Sequence, residues 1–433
     1  MVLRLKSSAA DFAAEFEKLL NAKRETTTDV RDVVEGIVAD VRARGDDALY
    51  DLTAKFDRFD ARARGLKISD NEVDAACAKI DADTMAALEL AADRIRAFHE
   101  RQAPEDLDYI DDAGVRLGQN WQAVSAAGLY VPGGTASYPS SVLMNAIPAS
   151  VAGVERVVMV VPTPDDVLNP LVLAAARLAG VTEIYRIGGA QAVAALAFGT
   201  ETIAPVDKIV GPGNAYVAEA KRQVFGKVGI DTIAGPSEIL VVADNMNDPR
   251  WIAADLLSQA EHDTAAQSIL ITDDMKYAEM VAMAVEDHLA SLPRADIAAE
   301  SWNTYGAIIT VENLDDAVPL INRLAPEHLE LAIEHPEAMR VKIRNAGAIF
   351  LGRYTPEAIG DYIAGPNHVL PTARAARFSS GLSVYDFMKR TTFVGCTAAS
   401  LGAIGPSAVR LAGEEGLGAH ALSVAIRLKD LQQ

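Results

Sequence analysis

Gln259 and His262 lie three residues apart in the stretch SQAEHD, near the end of a predicted helix. At that spacing both side chains lie on one helical face, so the pair is half of a candidate metal site. Asp361 in GDYIAG and His420 in GLGAH lie in polar or glycine-rich contexts and can supply the other half. Two imidazoles, one carboxylate and one neutral oxygen suit Zn²⁺ or Mn²⁺ with coordination left open for a substrate. Spacing alone does not distinguish this set from four residues with separate structural roles.

A second candidate centre is the sequence APEHLE, in which Glu327 and His328 are adjacent and follow a proline. A carboxylate beside an imidazole in an exposed loop can serve as two proton acceptors with different pKa values. The same residues fit equally well a helix-to-strand turn with solvated polar side chains. Among the other histidines, His368 in GPNH has a polar, turn-rich context, but no role follows from it. Helical or charged surroundings predict solvated surface positions for His99, His288 and His335.

Glycine-rich turns leave nucleotide binding open. The sequence has no GxGxxG motif, and GPGNAY has two of its three glycines, with Tyr216 in the third position. YVPGG and GGAQ either admit a ligand or form tight turns. The residues taken one motif at a time therefore indicate an α/β enzyme, with metal assistance and nucleotide binding both open.

The elements that must position these residues change in character along the chain. The first ~125 residues have mainly helical periodicity. From about residue 126, short β-branched runs such as RVVMVVPTP alternate with Ala-rich helical segments such as LVLAAARLAG. Strand–helix–strand units of this length predict two parallel sheets covered on both faces, with a boundary near Pro236. Ligands bind beyond the carboxyl ends of such strands, where GGAQ, GPGN and GPSE are expected.

The predicted fold class is α/β: two Rossmann-like parallel-sheet domains with a helical N-terminal region and a C-terminal helical tail. The N-terminal region is a candidate to pack on the second α/β domain. The tail ends in an apolar helical stripe that it cannot bury alone, which predicts a second subunit as its cover. The four predicted segments are residues 1–125, 126–235, 236–380 and 381–433.

Composition restricts the class of protein. The formal net charge is −20, which argues against a nucleic-acid or anionic-membrane partner, because either needs clustered Lys and Arg. The N-terminus lacks the pattern of a signal peptide, and no run of apolar residues is long enough to span a bilayer. Cys77 and Cys396 provide no disulfide framework. These features predict a soluble cytoplasmic enzyme.

Taken together, the motifs resemble the histidinol dehydrogenase family: YVPGG, GGAQA, DKIVGPGNAYVAEAKRQVFG, AGPSE, DLLSQAEHD, APEHLE, GDYIAGPNHVLPT and LAGEEGLGAH. They occur in the family's order from about residue 120 to the end. The resemblance implies a zinc-dependent enzyme, with one Zn²⁺ per subunit, that oxidises L-histidinol through L-histidinaldehyde to L-histidine. Two NAD⁺ are reduced in this last step of histidine biosynthesis. The resemblance also implies a homodimer whose subunits share their active sites.

The resemblance assigns roles motif by motif. It implies that zinc is held by Gln259, His262, Asp361 and His420. It implies that Glu327 and His328 are the catalytic acid/base pair. Substrate contacts fall on the four zinc ligands, on His328, and on Ser237 and Glu415, and NAD contacts on Tyr130, Gln191 and Asn214. Two alternatives to a dehydrogenase are a zinc hydrolase, with Glu327 activating water on an amide, and a two-lobed metal-binding protein without catalysis.

Overall fold

The computed structural model describes residues 2–22, 30–133, 138–233 and 235–430. Its strands, in chain order, are β1 (Leu3–Lys6), β2 (Leu107–Ile110), β3 (Arg116–Ala123), β4 (Ala126–Tyr130), β5 (Arg156–Val160), β6 (Glu183–Tyr185), β7 (Lys208–Val210), β8 (Gly229–Ile230), β9 (Glu238–Ala243), β10 (Gln267–Thr272), β11 (Ala307–Thr310), β12 (His328–Ala332), β13 (Ala348–Leu351) and β14 (Met388–Gly395).

The helices are α1 (Phe12–Leu20), α2 (Arg31–Arg44), α3 (Asp46–Asp57), α4 (Ala61–Arg64), α5 (Asp70–Cys77), α6 (Ala82–Glu100), α7 (Pro139–Val151), α8 (Pro170–Leu178), α9 (Gly189–Phe198), α10 (Ala215–Val224), α11 (Pro249–Ala260), α12 (Met275–Leu289), α13 (Ala295–Tyr305), α14 (Ala317–Leu324), α15 (Pro336–Arg340), α16 (Glu357–Tyr362), α17 (Ala398–Glu414) and α18 (Gly418–Asp430). Strands and helices alternate through the middle of the chain, as the sequence predicts.

The first sheet has five parallel strands in the order β6-β5-β4-β7-β8. Helices α2, α9 and α10 cover one face, and helices α5 to α8 cover the other. Covering on both faces explains the continuous apolar runs of strands such as RVVMV in β5. GGAQ and GPGN follow β6 and β7, so these turns lie at carboxyl ends of strands, as predicted.

The second sheet has six parallel strands in the order β1-β11-β10-β9-β12-β13. Helices α11, α12 and α13 cover one face, and helices α1 and α14 cover the other. The two covered parallel sheets confirm the α/β class. The predicted position of GPSE is wrong, because this turn enters β9 instead of leaving a strand. His328 is likewise the first residue of β12, so this sheet presents the amino ends of its strands to the site.

The N-terminal region is shared between the two sheets. Strand β1 and helix α1 join the second sheet, as proposed for the whole region, but α2 packs with α9 and α10 of the first. Helices α5 and α6 pack against α7 and α8. Beside its helices the region contains β1, β2 and β3, which the helical periodicity does not predict. Strands β2 and β3 belong to a separate antiparallel sheet, ordered β14-β3-β2.

The C-terminal tail forms β14 and a helical hairpin of α17 and α18. Gly416, with a φ of 72°, makes the turn between these helices. Val424 and Leu428 pack against Gly405 of α17, so part of the apolar stripe is covered within the hairpin. No described residue of α18 is buried, and Leu422 and Ile426 on it are exposed. The tail thus presents apolar surface that its own chain leaves open. Cover by a second subunit remains a prediction. Within the described ranges, no helix is long and apolar enough to cross a membrane.

Candidate functional site

A cavity of about 990 Å³ lies between the two parallel sheets. One wall is formed by the loops after β4 and β7, including Pro132 and the segment 212–214. The other wall is formed by the amino ends of β9 and β12 and by the ends of α11 and α16. The residues that line the cavity include these candidates from the sequence: Asn214, Ser237, Gln259, His262, Glu327, His328, Asp361 and His368.

Glu327 and His328 are buried beneath this cavity, and not solvated in an exposed loop. Helix α14 ends at Leu324, because its capping residue Ala325 has a left-handed φ of 48° and Pro326 follows; β12 then begins at His328. Glu327 Oε2 accepts the backbone N–H of Glu238 at 2.9 Å. The Nδ1 atom of His328 lies 2.9 Å from the backbone oxygen of the same residue.

His328 is arranged as a neutral base. A carbonyl oxygen only accepts, so Nδ1 carries the proton and the lone pair is on Nε2. Nε2 lies 3.7 Å from Glu357 Oε1 and 3.9 Å from Asp361 Oδ1, and it is buried without a hydrogen-bond partner among the described residues. Burial lowers the pKa of His328 to about 4, although the Asp361 carboxylate opposes the shift. Above that pH the imidazole is free to accept a proton from a ligand in the cavity.

The metal-type donors come from the ends of two helices. Gln259 is in the last turn of α11, and His262 follows two residues after the helix ends. The Gln259 side chain is buried, and within the described chain its Oε1 has no hydrogen-bond donor. A buried amide oxygen without a donor costs free energy, and a cation would satisfy it. Asp361 lies in α16 on the same cavity. Three of the four predicted metal ligands therefore line one cavity.

Glu357 is the site residue that the sequence analysis missed. Its carboxylate, the Asp361 carboxylate and the His328 imidazole have ligand atoms within 4.8 Å of one another. Burial, reinforced by the Asp361 charge, raises the pKa of Glu357 to about 10. The signal in the sequence was the spacing: Glu357 and Asp361 are four residues apart and share one face of α16.

His368 also belongs to this cavity. Its Nε2 is buried and has no hydrogen-bond partner among the residues described, and burial lowers its pKa. The preceding Asn367 donates to the backbone oxygen of Met144 at 2.6 Å and contacts His99 Nε2 at 3.4 Å. His99, predicted to be a solvated surface residue, is instead fully buried under this loop. His335 is exposed as predicted, and His288 is half-buried.

Four residues assigned by the resemblance do not line the cavity. Glu415 follows α17, and His420 is in the first turn of α18; both are exposed on the tail. Tyr130 and Gln191 are buried behind the loop at the start of α9, where the Tyr130 hydroxyl accepts the backbone N–H of Gly189 at 3.1 Å. Burial raises the pKa of Tyr130 to about 12. Asn214 caps α10 at the cavity wall, its Oδ1 accepting two backbone N–H groups.

The fold and the cavity define a two-sheet α/β enzyme with a buried base beside metal-type donors. The family model for histidinol dehydrogenase matches residues 20–428. The histidinol dehydrogenase of Rhodospirillum rubrum is 70% identical over 429 residues, covering 99% of each chain. That of Ruegeria pomeroyi is 64% identical, again over 99% of each chain. A crystal structure of histidinol dehydrogenase from Elizabethkingia anophelis has a TM-score of 0.95 and 37% identity, covering 100% of this chain and 99% of that one.

The chain therefore belongs to the histidinol dehydrogenase family and is an oxidoreductase. The resemblance drawn from the sequence motifs is confirmed. The zinc hydrolase and the non-catalytic metal-binding protein find no support in these comparisons.

Proposed function

We propose that the protein oxidises L-histidinol through L-histidinaldehyde to L-histidine, reducing two NAD⁺, and that it carries out the last step of histidine biosynthesis in the cytoplasm. Membership of the family supports the reaction. The main support for the site is the lone pair of His328 Nε2, which faces a cavity lined by Gln259, His262 and Asp361.

One Zn²⁺ per subunit would be held by Gln259, His262, Asp361 and His420. The donors fit this ion, because two imidazoles, one carboxylate and an amide oxygen without a donor are ligands that zinc accepts. Bound zinc orients a substrate that carries an imidazole and an amine, both of them good zinc ligands. Everything else in the reaction is assigned to residues of the chain and to the substrates.

In the first oxidation, His328 Nε2 accepts the proton of the alcohol as the carbon gives its hydride to NAD⁺. The alcohol becomes an aldehyde, and one NADH and one proton are formed. The hydrogen bond from His328 Nδ1 to the Glu238 carbonyl holds the ring in the tautomer that accepts at Nε2. Ser237, which precedes Glu238 and lines the cavity, is assigned to contact the substrate.

In the second oxidation, water adds to the aldehyde, and the hydrate gives its hydride to a second NAD⁺. Glu327 takes a proton from the attacking water and passes it to the aldehyde oxygen, which gives the hydrate, and His328 then takes a hydroxyl proton of the hydrate as its carbon gives up the hydride. The backbone N–H of Glu238 holds the Glu327 carboxylate in place. NAD⁺ is assigned to the first-sheet side, with contacts from Tyr130, Gln191 and Asn214.

We also propose a homodimer in which the tail of one subunit completes the site of the other. Glu415 and His420 are assigned to substrate and zinc but lie outside the cavity of their own chain. The apolar surface left open on α18 supports cover by a partner.

The test is incubation of the purified protein with L-histidinol and NAD⁺, following NADH by its near-ultraviolet absorbance and histidine by chromatography. Two NADH per histidine are expected. The matched control is His288→Asn, a change of the same type at a histidine outside the cavity, which should retain activity, whereas His328→Asn should lose it. Absence of NADH formation from histidinol by the zinc-loaded protein would refute the proposal.

A further inference from the structure

A second layer of acidic side chains lies behind the site. Asp255 precedes Gln259 by four residues on α11, and Glu357 precedes Asp361 by four residues on α16. Glu330 follows His328 by two residues on β12, so both side chains lie on the same face of that strand. Asp255 and Glu357 are each one helical turn from a residue of the site, and Glu330 is two residues along its strand from another.

Glu330 is the centre of this acidic layer. It is 2% exposed and lies in β12, an interior strand of the second sheet between β9 and β13. Its Oε1 accepts the backbone N–H of Glu357, the first residue of α16. Its carboxyl group also shares a hydrogen bond with the carboxyl group of Asp255 on α11. One side chain therefore joins the strand of the base to both helices that carry metal-type donors.

The protonation state of Glu330 matches these contacts. Burial, with the Asp255 charge adding to it, raises the pKa of Glu330, so the group keeps its proton and donates to Asp255. Ser258 closes the layer: its hydroxyl donates to the backbone oxygen of Asp255 at 2.8 Å, and its Oγ lies 3.1 Å from Glu357 Oε2. A carboxyl group in the middle of a parallel sheet costs free energy unless it is hydrogen-bonded, and here both of its functions, donor and acceptor, are used.

We propose that Glu330 is a positioning residue: by bonding Asp255 on α11 and the backbone N–H of Glu357 on α16, it fixes the spacing of Gln259, His262 and Asp361 around His328 Nε2. It contacts neither substrate nor metal, and it acts through the two helices. The inference rests on the proposed zinc site.

Two substitutions at Glu330 separate positioning from simple packing. Glu330→Gln keeps an oxygen for the Glu357 N–H and an N–H for Asp255, so it reproduces a protonated carboxyl group. Glu330→Met has a similar length but can do neither. The matched control is Asn247→Leu, which removes a buried hydrogen bond, 2.7 Å from Asn247 Nδ2 to the Ala332 oxygen, at the opposite end of β12.

The measurement is zinc affinity, by competition with a chromogenic chelator, with circular dichroism and thermal unfolding on the same samples. Glu330→Met should bind zinc about 10- to 100-fold more weakly than the unchanged protein, as is typical when support behind a metal ligand is lost. Glu330→Gln and Asn247→Leu should bind zinc as the unchanged protein does. Should Glu330→Met not fold, Asp255→Ala, which removes one partner at a half-buried position, should show the same weakening.

The outcomes distinguish this inference from the proposed function. Unchanged zinc affinity in a folded Glu330→Met variant, or in Asp255→Ala if Glu330→Met does not fold, overturns the positioning role and leaves the proposed function standing. Zinc binding by Glu330→Gln that is as weak as zinc binding by Glu330→Met also overturns the positioning role, because the loss of affinity would then not come from the lost hydrogen bonds. Absence of zinc binding by the unchanged protein overturns the proposed zinc site, and the positioning role with it.

Discussion

The backbone of Glu238 holds both members of the catalytic pair: its N–H donates to Glu327 Oε2, and its carbonyl oxygen accepts from His328 Nδ1, each at 2.9 Å. Because β9 and β12 are neighbours in the second sheet, this peptide is rigidly placed beside them. The pair is therefore oriented by main-chain groups that any substitution at Glu238 other than proline leaves in place.

The two residues should contribute differently to the two half-reactions. His328→Asn should slow the oxidation of histidinol and of histidinaldehyde alike, because each releases a proton to Nε2. Glu327→Gln should affect the second oxidation more, because water is needed only there. Single-turnover kinetics from each substrate measures the two steps, with a typical loss of 10²- to 10⁴-fold for a missing general base. Equal losses in both steps for Glu327→Gln would contradict this division.

Acid should destabilise the zinc-free protein through His328. Its pKa falls from 6.5 in the unfolded chain to about 4 in the folded protein, so the unfolded state binds more protons between these values. Stability is then lost as pH falls, by about 2 kcal/mol from this group between roughly pH 7 and pH 5. Urea unfolding of the apo-protein at both pH values, compared with His328→Asn, measures the difference. An equal pH dependence in the variant would exclude His328 as its source.

Zinc removal should abolish turnover without unfolding the chain. Both sheets have continuous apolar cores on each face, and these do not include the candidate ligands. Far-ultraviolet circular dichroism after chelation should match that of the loaded protein, and activity should return when zinc is added back. An unfolded apo-protein would mean that the ion has a structural role.

Shared sites predict complementation between two inactive chains. A His420→Ala chain and a His328→Ala chain should each be nearly inactive, but one of the two sites in their hybrid dimer would contain only intact residues. Refolding the two chains together should restore activity in proportion to the fraction of hybrid dimers that forms. Purified heterodimers without activity would place His420 in the site of its own chain.

The buried ion pair between Lys221 and Asp231 should be important for the first-sheet wall of the cavity. Lys221 Nζ also donates to the Gly211 oxygen at 3.0 Å, and Asp231 Oδ2 accepts from the Gly211 N–H at 2.7 Å. Lys221→Met leaves a buried carboxylate without its cation and should cost about 3–5 kcal/mol of unfolding free energy. Lys221→Met combined with Asp231→Leu should recover part of that loss in denaturant unfolding. A double variant no more stable than Lys221→Met would show that the unpaired Asp231 carboxylate is not the source of the lost stability.

The sequence predicted the parts of the fold that depend on apolar pattern. Strands β9 and β10 contain the apolar runs ILVVA and ILI, and they form the centre of the second sheet. Strands β1, β2 and β14 were not predicted, because they are short or largely exposed and carry many polar residues. Strands β1 and β14 also pair with β11 and β3, which are far away in the chain, so local pattern contains little information about that pairing.

For the site, local spacing found Gln259 with His262 and Glu327 with His328, but it could not give their burial. His99 shows why: its sequence context is a polar helix end, yet the Asn367 loop covers it. Burial depends on which distant segment packs over a residue. The same limit applies to Glu357, whose role follows from its closeness to His328 on another element.

The opposed orientation of the two sheets gives the cavity an electrical polarity. Helix α10 begins at one wall, where Asn214 caps it, and helix α11 ends at the other wall, beside Gln259 and His262. Backbone dipoles make a helix start positive and a helix end negative. A bound cation is therefore favoured beside α11, and the negatively charged part of a ligand is favoured beside α10. A cationic ligand and an anionic ligand that enter the cavity together are therefore directed to opposite walls by the backbone alone.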